Sequence, residues 1–159
     1  MPSPPRATRL LPLLALLIVL PAATIGCGER AQAAREIGQM EPVTAMHRAI
    51  DLQREGLGLL ESVQDVPTAE AAAERLDFIA YQLETLAARL RETGPPTSTQ
   101  QLESIDDTLQ VVFEQGLPAV GHLFRLLAEP ELLKILQPAN DRYEAATKEV
   151  AAALSASPG

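Results

Sequence analysis

Cys27 is the only cysteine of the chain and carries its most reactive side chain. A thiol can hold a lipid, a metal or a disulfide partner, and a lone cysteine excludes a disulfide within the chain. The two histidines, His47 and His122, are the other usual metal ligands. Asp51 follows His47 by one helical turn, but this pair supplies two ligands where a zinc site needs three or four. The sequence therefore predicts neither a metal site nor a cofactor.

Motifs of well-known enzyme classes are absent from the sequence. There is no Gly-x-Ser-x-Gly nucleophile elbow, no glycine-rich phosphate loop and no His-Glu-x-x-His zinc helix. Tryptophan is missing, and three Phe and two Tyr are the only aromatic residues. So few aromatic side chains argue against an aromatic-lined ligand pocket and against a platform for stacking bases. We expect a protein that is not an enzyme.

The residues before Cys27 have the order of a secretory signal. Arg6 and Arg9 precede an apolar run over residues 10–20, and small residues follow at 21–23. This run is shorter than the ~20 apolar residues that a membrane-spanning helix needs. We therefore predict a cleaved leader. A leader cut at 22–23 that leaves a soluble protein and a retained membrane helix are the two alternatives.

The four residues Thr24-Ile25-Gly26-Cys27 resemble the cleavage box of bacterial lipoproteins, and the resemblance covers residues 1–28. It implies a signal peptide of residues 1–26, a diacylglyceryl thioether on Cys27, and a further acyl chain such as palmitate on the new amino group. Two or more acyl chains anchor a protein stably, since each buried CH₂ contributes ~0.8 kcal/mol. The implied location is the bacterial cell envelope, with the domain on the extracytoplasmic side of the membrane.

The chain is acidic, with a formal net charge of −8, and loss of the leader would remove Arg6 and Arg9 as well. Nucleic-acid binding depends on cationic side chains that displace counterions, so we expect no nucleic-acid partner. An acidic domain is also not attracted to anionic lipids. Residues 28–41 lack a sustained apolar pattern, although 31–37 allow partial helix. We predict that residues 27–41 are the lipidated cysteine and a tether, which holds the domain clear of the membrane.

Residues 42–154 contain four segments with helical periodicity and none with the alternation of a strand. The first begins at Pro42, since proline is favourable at a first helical position. Its predicted apolar face is Met46, Ile50, Leu57 and Leu60, widened by Ala49, Leu52, Leu59 and Val63. The second has a heptad seam, formed by Ala72, Leu76, Ile79, Leu83, Leu86 and Leu90.

The third segment opens at Ser98, which forms a capping box with Gln101, and Pro118 predicts a kink within it. The fourth begins at Pro130 and is interrupted by Pro138. Its seam is Leu132, Leu136, Ala139, Tyr143, Ala146 and Val150.

Short loops between helices of similar length favour antiparallel neighbours. The predicted fold is therefore all-α, an up-down-up-down four-helix bundle over residues 42–154, behind the signal and the short tether. A three-helix bundle with a loose fourth segment is the alternative. Residues 155–159 are predicted to be a disordered tail.

An acidic stripe on the third segment is the candidate interaction face, and it is formed by Glu103, Asp106, Asp107 and Glu114. Such a stripe docks a basic partner or simply solubilises the domain. We predict a membrane-tethered, non-catalytic helical lipoprotein that serves as an interaction or envelope-structure module, with another envelope protein as its partner. The alternative is a ligand-binding or carrier bundle in the periplasm.

Overall fold

The structure is a computed structural model that describes residues 27–94, 126 and 128–155. Its helices are α1 (Cys27–Gly38), α2 (Pro42–Ser62), α3 (Val66–Thr93) and α4 (Pro130–Ser155). No strand occurs within the described residues. The helices pack around a shared apolar core, which confirms the predicted all-α bundle.

Three of the four predicted helices are confirmed as α2, α3 and α4. The predicted third helix, with its cap at Ser98 and its kink at Pro118, lies outside the described residues. The same holds for the signal peptide of residues 1–26 and for tail residues 156–159. Ser155, which was assigned to the tail, is the last residue of α4.

The start and the end of α3 are both capped by short-range hydrogen bonds. The side chain of Asp65 accepts a bond from the Thr68 amide at 3.0 Å, and the Thr68 hydroxyl accepts one from the Asp65 amide at 3.0 Å. The Thr68 hydroxyl also donates to the Asp65 carboxylate at 2.6 Å, and this bond is the largest cause of the lowered pKa of Asp65, followed by the bond from the Thr68 amide. At the other end Gly94 has φ of 78°, and its amide donates to the carbonyl of Leu90. Glycine takes this left-handed conformation without a steric penalty, so the helix stops here.

Helix α3 is central to the bundle because it packs against α1, α2 and α4. Its burial reflects this position, since apolar residues are buried on more than one side of the helix. The predicted heptad seam is confirmed, because all six of its residues are buried. Other buried positions of α3 lie off the seam, and these are Ala69, Phe78, Ala80, Gln82 and Ala87.

Neighbouring side chains establish the directions of α2 and α3. Arg48 of α2 bonds to Gln82 of α3, whereas Glu55, further along α2, pairs with Arg75, which lies earlier in α3. The residue numbers therefore run in opposite senses, and the two helices are antiparallel. This is the arrangement predicted from the short loop between them.

The directions of α3 and α4 are the same. Glu84 pairs with Arg142, and seven residues later in both helices Arg91 pairs with Glu149. An up-down-up-down order gives its second and fourth helices this same relative direction. All six residues of the seam predicted for α4 are buried.

Pro138 does not break α4, although its ring cannot donate the usual backbone hydrogen bond. The carbonyl that loses this bond belongs to Lys134. Lys134 and Pro138 are both exposed, so water can solvate this carbonyl. Leu136 and Ala139 on either side of the proline are buried. Packing of the apolar face therefore carries the helix across the interruption.

Tyr143 of α4 is 7% exposed and donates a hydrogen bond from its hydroxyl to the carbonyl of Gln53 on α2, at 2.8 Å. Burial raises the pKa of this phenol to about 12. In the unfolded chain it ionises near pH ~10, so rising pH ionises the unfolded state first. The stabilisation is therefore complete below pH ~10 and is lost as the pH rises toward the folded pKa.

We expect the free energy of unfolding to fall by roughly 2–3 kcal/mol across this alkaline window. Urea unfolding at a series of pH values checks this. In Tyr143→Phe that part of the pH dependence should disappear, although the variant also loses its bond to Gln53 and starts from a lower stability. An unchanged pH profile in the variant contradicts the assignment to Tyr143.

No helix in the described part of the chain is both long enough and apolar enough to cross a membrane.

Candidate functional site

Cys27 is the first residue of α1. The residues that resemble the lipoprotein cleavage box before it, 24–26, lie outside the described part of the chain. Helix α1 is short and polar, and Ile37 is its one deeply buried apolar side chain, at 2% exposed. The candidate attachment point is therefore followed directly by helix.

Helix α1 is docked on α3 by polar contacts. Arg30 pairs with Asp77 at 2.6 Å, and its guanidinium lies over the ring of Tyr81, 5.2 Å from the centroid. The Tyr81 hydroxyl donates a bond back to the carbonyl of Arg30. Cation–π and ionic contacts of this kind are each worth about 0.5–1 kcal/mol at exposed sites. Several act together here with the burial of Ile37.

Residues 27–41, predicted to be the lipidated cysteine and a tether, are helical over Cys27–Gly38, and this helix packs on α3. The segment has no apolar stripe, and the ion pair and hydrogen bond of Arg30 are among its contacts with α3. At its C-terminal end, Arg89 of α3 donates from Nε to the carbonyl of Met40 at 3.0 Å, which fastens the loop before α2. Only residues 39–41 remain as a connection between α1 and α2.

Arg142 of α4 links the same part of α3 to a third helix. Its guanidinium makes a two-pronged contact with Glu84, at 2.9 and 2.8 Å, and a further bond to Asp77 at 2.5 Å. Asp77 thus joins Arg142 to Arg30 and ties α1, α3 and α4 together. These bonds outweigh partial burial and raise the pKa of Arg142, with Glu84 the largest cause.

A polar cavity of about 250 Å³ lies where α1, α2 and α3 meet. Carboxylates of α1 and guanidinium groups of α2 and α3 face it, and one side chain on its wall, Gln82, is almost fully buried. The lining is formed by Glu29, Gln32, Ala33, Glu36, Arg48, Arg75, Phe78 and Gln82.

An apolar groove of about 490 Å³ lies between α2 and α4, near the N-terminal end of α2 and the C-terminal end of α4. Met46 and Ile50 of α2 form a small apolar cluster there with Leu154 of α4. Three polar residues, Gln53, Thr147 and Ser155, also line the groove.

His47 and Asp51, the pair weighed as metal ligands, both lie on α2. Asp51 is exposed and pairs with Arg54 at 3.2 Å, and His47 is half-buried with an interaction of its own. Within the described residues no three His, Cys, Asp or Glu side chains come together as a metal site. His122 lies outside these residues.

The predicted acidic interaction face, Glu103, Asp106, Asp107 and Glu114, also lies outside the described residues. Of the predicted site residues, Cys27 alone belongs to the part of the chain that the structure describes. This part shows two features that sequence reasoning missed, the arginine–carboxylate network at Asp77 and the polar cavity beside it. The sequence contains a signal for the arginine–carboxylate network, because the spacing of Asp77 and Glu84 places both on one face of a helix.

Comparison of the chain with models of protein families, with curated proteins and with solved structures finds no match.

Proposed function

We propose that the protein is a bacterial lipoprotein, anchored in the cell envelope through lipid on Cys27, whose helical bundle is a non-catalytic interaction or structural module. The observation that carries the proposal is the sequence Thr24-Ile25-Gly26-Cys27 directly after a short apolar run. A lipid on this sulfur gives stable membrane attachment without a spanning helix.

The position of α1 adds a mechanical consequence to this proposal. Because helix begins at Cys27 and α1 is docked on α3, few flexible residues separate the lipid from the folded bundle. A flexible linker of comparable length would let the domain reach partners over a wide area. A docked helix instead holds the bundle close to the membrane in a restricted orientation, which suits a partner in the same membrane or at its surface.

A carrier of apolar ligands is the second candidate, and the groove between α2 and α4 is the observation that favours it. Its volume lies within the range of ligand sites, and most of its lining is apolar. Ligand pockets normally enclose most of the ligand surface, however, whereas the described residues give this groove walls from two helices. A groove of this form is better suited to receive a side chain of a protein partner, so the interaction role is preferred.

Replacement of Cys27 by serine tests the anchor. We expect the wild-type chain, expressed in a bacterial host and purified with detergent, to begin at residue 27 and to carry the mass of a diacylglyceryl group and an acyl chain. Cys27→Ser should carry no lipid mass, because serine supplies no thiol for the thioether. Mass spectrometry of the intact protein and of its N-terminal peptide measures both outcomes.

Thr24→Leu is the matched control, since it places the usual residue of the cleavage box at that position and leaves the thiol in place. It should be lipidated at least as completely as the wild-type chain. An unmodified thiol in the wild-type protein, or a leader removed upstream of Cys27, would exclude the lipoprotein assignment.

A further inference from the structure

Opposite charges face each other across the polar cavity between α1, α2 and α3 without forming ion pairs. Glu29 and Glu36 lie on the α1 side, and Arg48 and Arg75 lie on the α2 and α3 side. No salt bridge within the described residues joins either carboxylate to either guanidinium, although all four side chains line the same cavity. Arg75 pairs instead with Glu55, and Glu36 accepts a hydrogen bond from Gln32 at 2.8 Å. Among the described residues, Glu29, Glu36 and Arg48 therefore line the cavity without an ion pair to an opposite charge.

Arg48 differs from the other arginine of the cavity in its partners. Arg75 pairs with Glu55 at 2.6 Å and lies over the ring of Phe78, so its charge is compensated within the protein. The one hydrogen bond that Arg48 makes with a described side chain goes to the amide oxygen of Gln82, at 3.0 Å. A half-buried guanidinium is normally matched by a carboxylate, and here that match is missing among the described residues.

Gln82 is the buried polar group of the site, at 5% exposed. Because a guanidinium can only donate, the amide turns Oε1 toward Arg48, and Nε2 keeps two donors. None of the described residues accepts a hydrogen bond from this nitrogen. The atom is not among the buried polar atoms that lack a partner, so both donors are available to water or to an acceptor in the cavity.

We propose that this cavity binds a small amino carboxylate, with its carboxylate on Arg48 and Nε2 of Gln82 and its ammonium group near Glu36 and Glu29. A carboxylate accepts bonds from both donors at once, and such charge-assisted bonds are the strong ones in proteins. The ammonium group supplies the cation that the α1 carboxylates lack. The volume, about 250 Å³, has room for a molecule of roughly the size of an amino acid.

Isothermal titration calorimetry of the full chain, purified in detergent, tests the proposal with named probes. L-alanine and 4-aminobutyrate are amino carboxylates with different charge separations, and butyrate and butylammonium each carry one of the two charges. We expect at least one amino carboxylate to bind, with both single-charge probes weaker by about tenfold or more. Absence of binding by both amino carboxylates overturns the proposal, and so does equal binding of butyrate.

Two substitutions locate the binding. Arg48→Met and Gln82→Met retain much of each side-chain stem but remove the donors, and each should weaken amino-carboxylate binding by about tenfold or more. Glu36→Gln should weaken the amino carboxylate and leave butyrate unchanged. Arg35→Met, at an exposed position of α1 outside the cavity lining, is the control and should bind as the wild type does.

Circular dichroism shows whether each variant keeps its helical content. Should a variant fail to fold, the comparison of probes on the wild-type chain still decides the proposal. Wild-type binding that persists in a folded Arg48→Met assigns the ligand to another place and contradicts it. This inference does not depend on the lipid anchor, because the cavity is formed by residues of the folded bundle.

Discussion

Leu83→Ala is expected to lower the free energy of unfolding by about 2–5 kcal/mol, the largest loss among the changes considered. Leu83 has no exposed surface and lies in the seam of α3, the helix that contacts α1, α2 and α4. Truncation removes buried apolar surface and leaves a cavity that three surrounding helices cannot close without losing other contacts. Chemical denaturation followed by circular dichroism measures the change.

Leu57→Ala is the matched control, because it is the same chemical change in the neighbouring helix α2. The sequence pattern assigns Leu57 to the apolar face, but the structure leaves it partly exposed and outside the core cluster. Its truncation should cost less than about 1 kcal/mol. Equal losses in the two variants would mean that α3 is not the central helix of the bundle.

The periodicity of the sequence predicts the packing of α3 and α4 because their seams are regular and apolar. Each seam position recurs at a spacing of three or four residues, and each is buried. The pattern is less successful for α2, where both Leu57 and Leu60 are only half-buried. Small residues take their place in that face, since Ala45 and Gly56 are buried there. Hydropathy patterns underestimate such positions because alanine and glycine add little apolar signal.

The docking of α1 could not be predicted from the sequence by the same reasoning. Its attachment depends on Arg30 meeting Asp77 and Tyr81, residues about 50 positions away along the chain. Charged and aromatic side chains in a polar segment are equally compatible with an exposed linker. Their pairing is decided by the tertiary arrangement, and periodicity carries no information about it.

The two parts of the candidate site, Cys27 and the polar cavity, also differ in how far the sequence predicts them. Cys27 and its lipid were inferred from a local pattern, since signal processing acts on a contiguous stretch of residues. The polar cavity brings together α1, α2 and α3, and no single segment contains enough of it to be recognised. Gln82 lies between seam positions of α3, where a glutamine ordinarily marks an exposed site. It is buried where α3 packs against its neighbours, and Arg48 of α2 bonds to its amide oxygen.

Gly56→Ala is the second change with a large expected effect, and it should lower the free energy of unfolding by about 1–3 kcal/mol. A methyl group on Gly56 would lie 2.6 Å from Cε2 and 2.7 Å from Cζ of Tyr143. The ring cannot simply move aside, because it is buried and its hydroxyl is bonded to the carbonyl of Gln53. The glycine of α2 therefore provides the space into which the tyrosine of α4 packs.

Gly58→Ala is the control that makes this prediction specific. It lies two residues further along the same helix and is exposed. Apart from the nearby backbone of its own helix, no described residue has an atom within 4 Å of the added methyl group. Alanine favours helix over glycine by about 1 kcal/mol, so Gly58→Ala should stabilise the protein by roughly that amount. The two substitutions are chemically identical and should have opposite signs in urea unfolding. Stabilisation by both would show that Tyr143 does not pack closely against α2. The contact would then be too loose to account for the glycine at position 56.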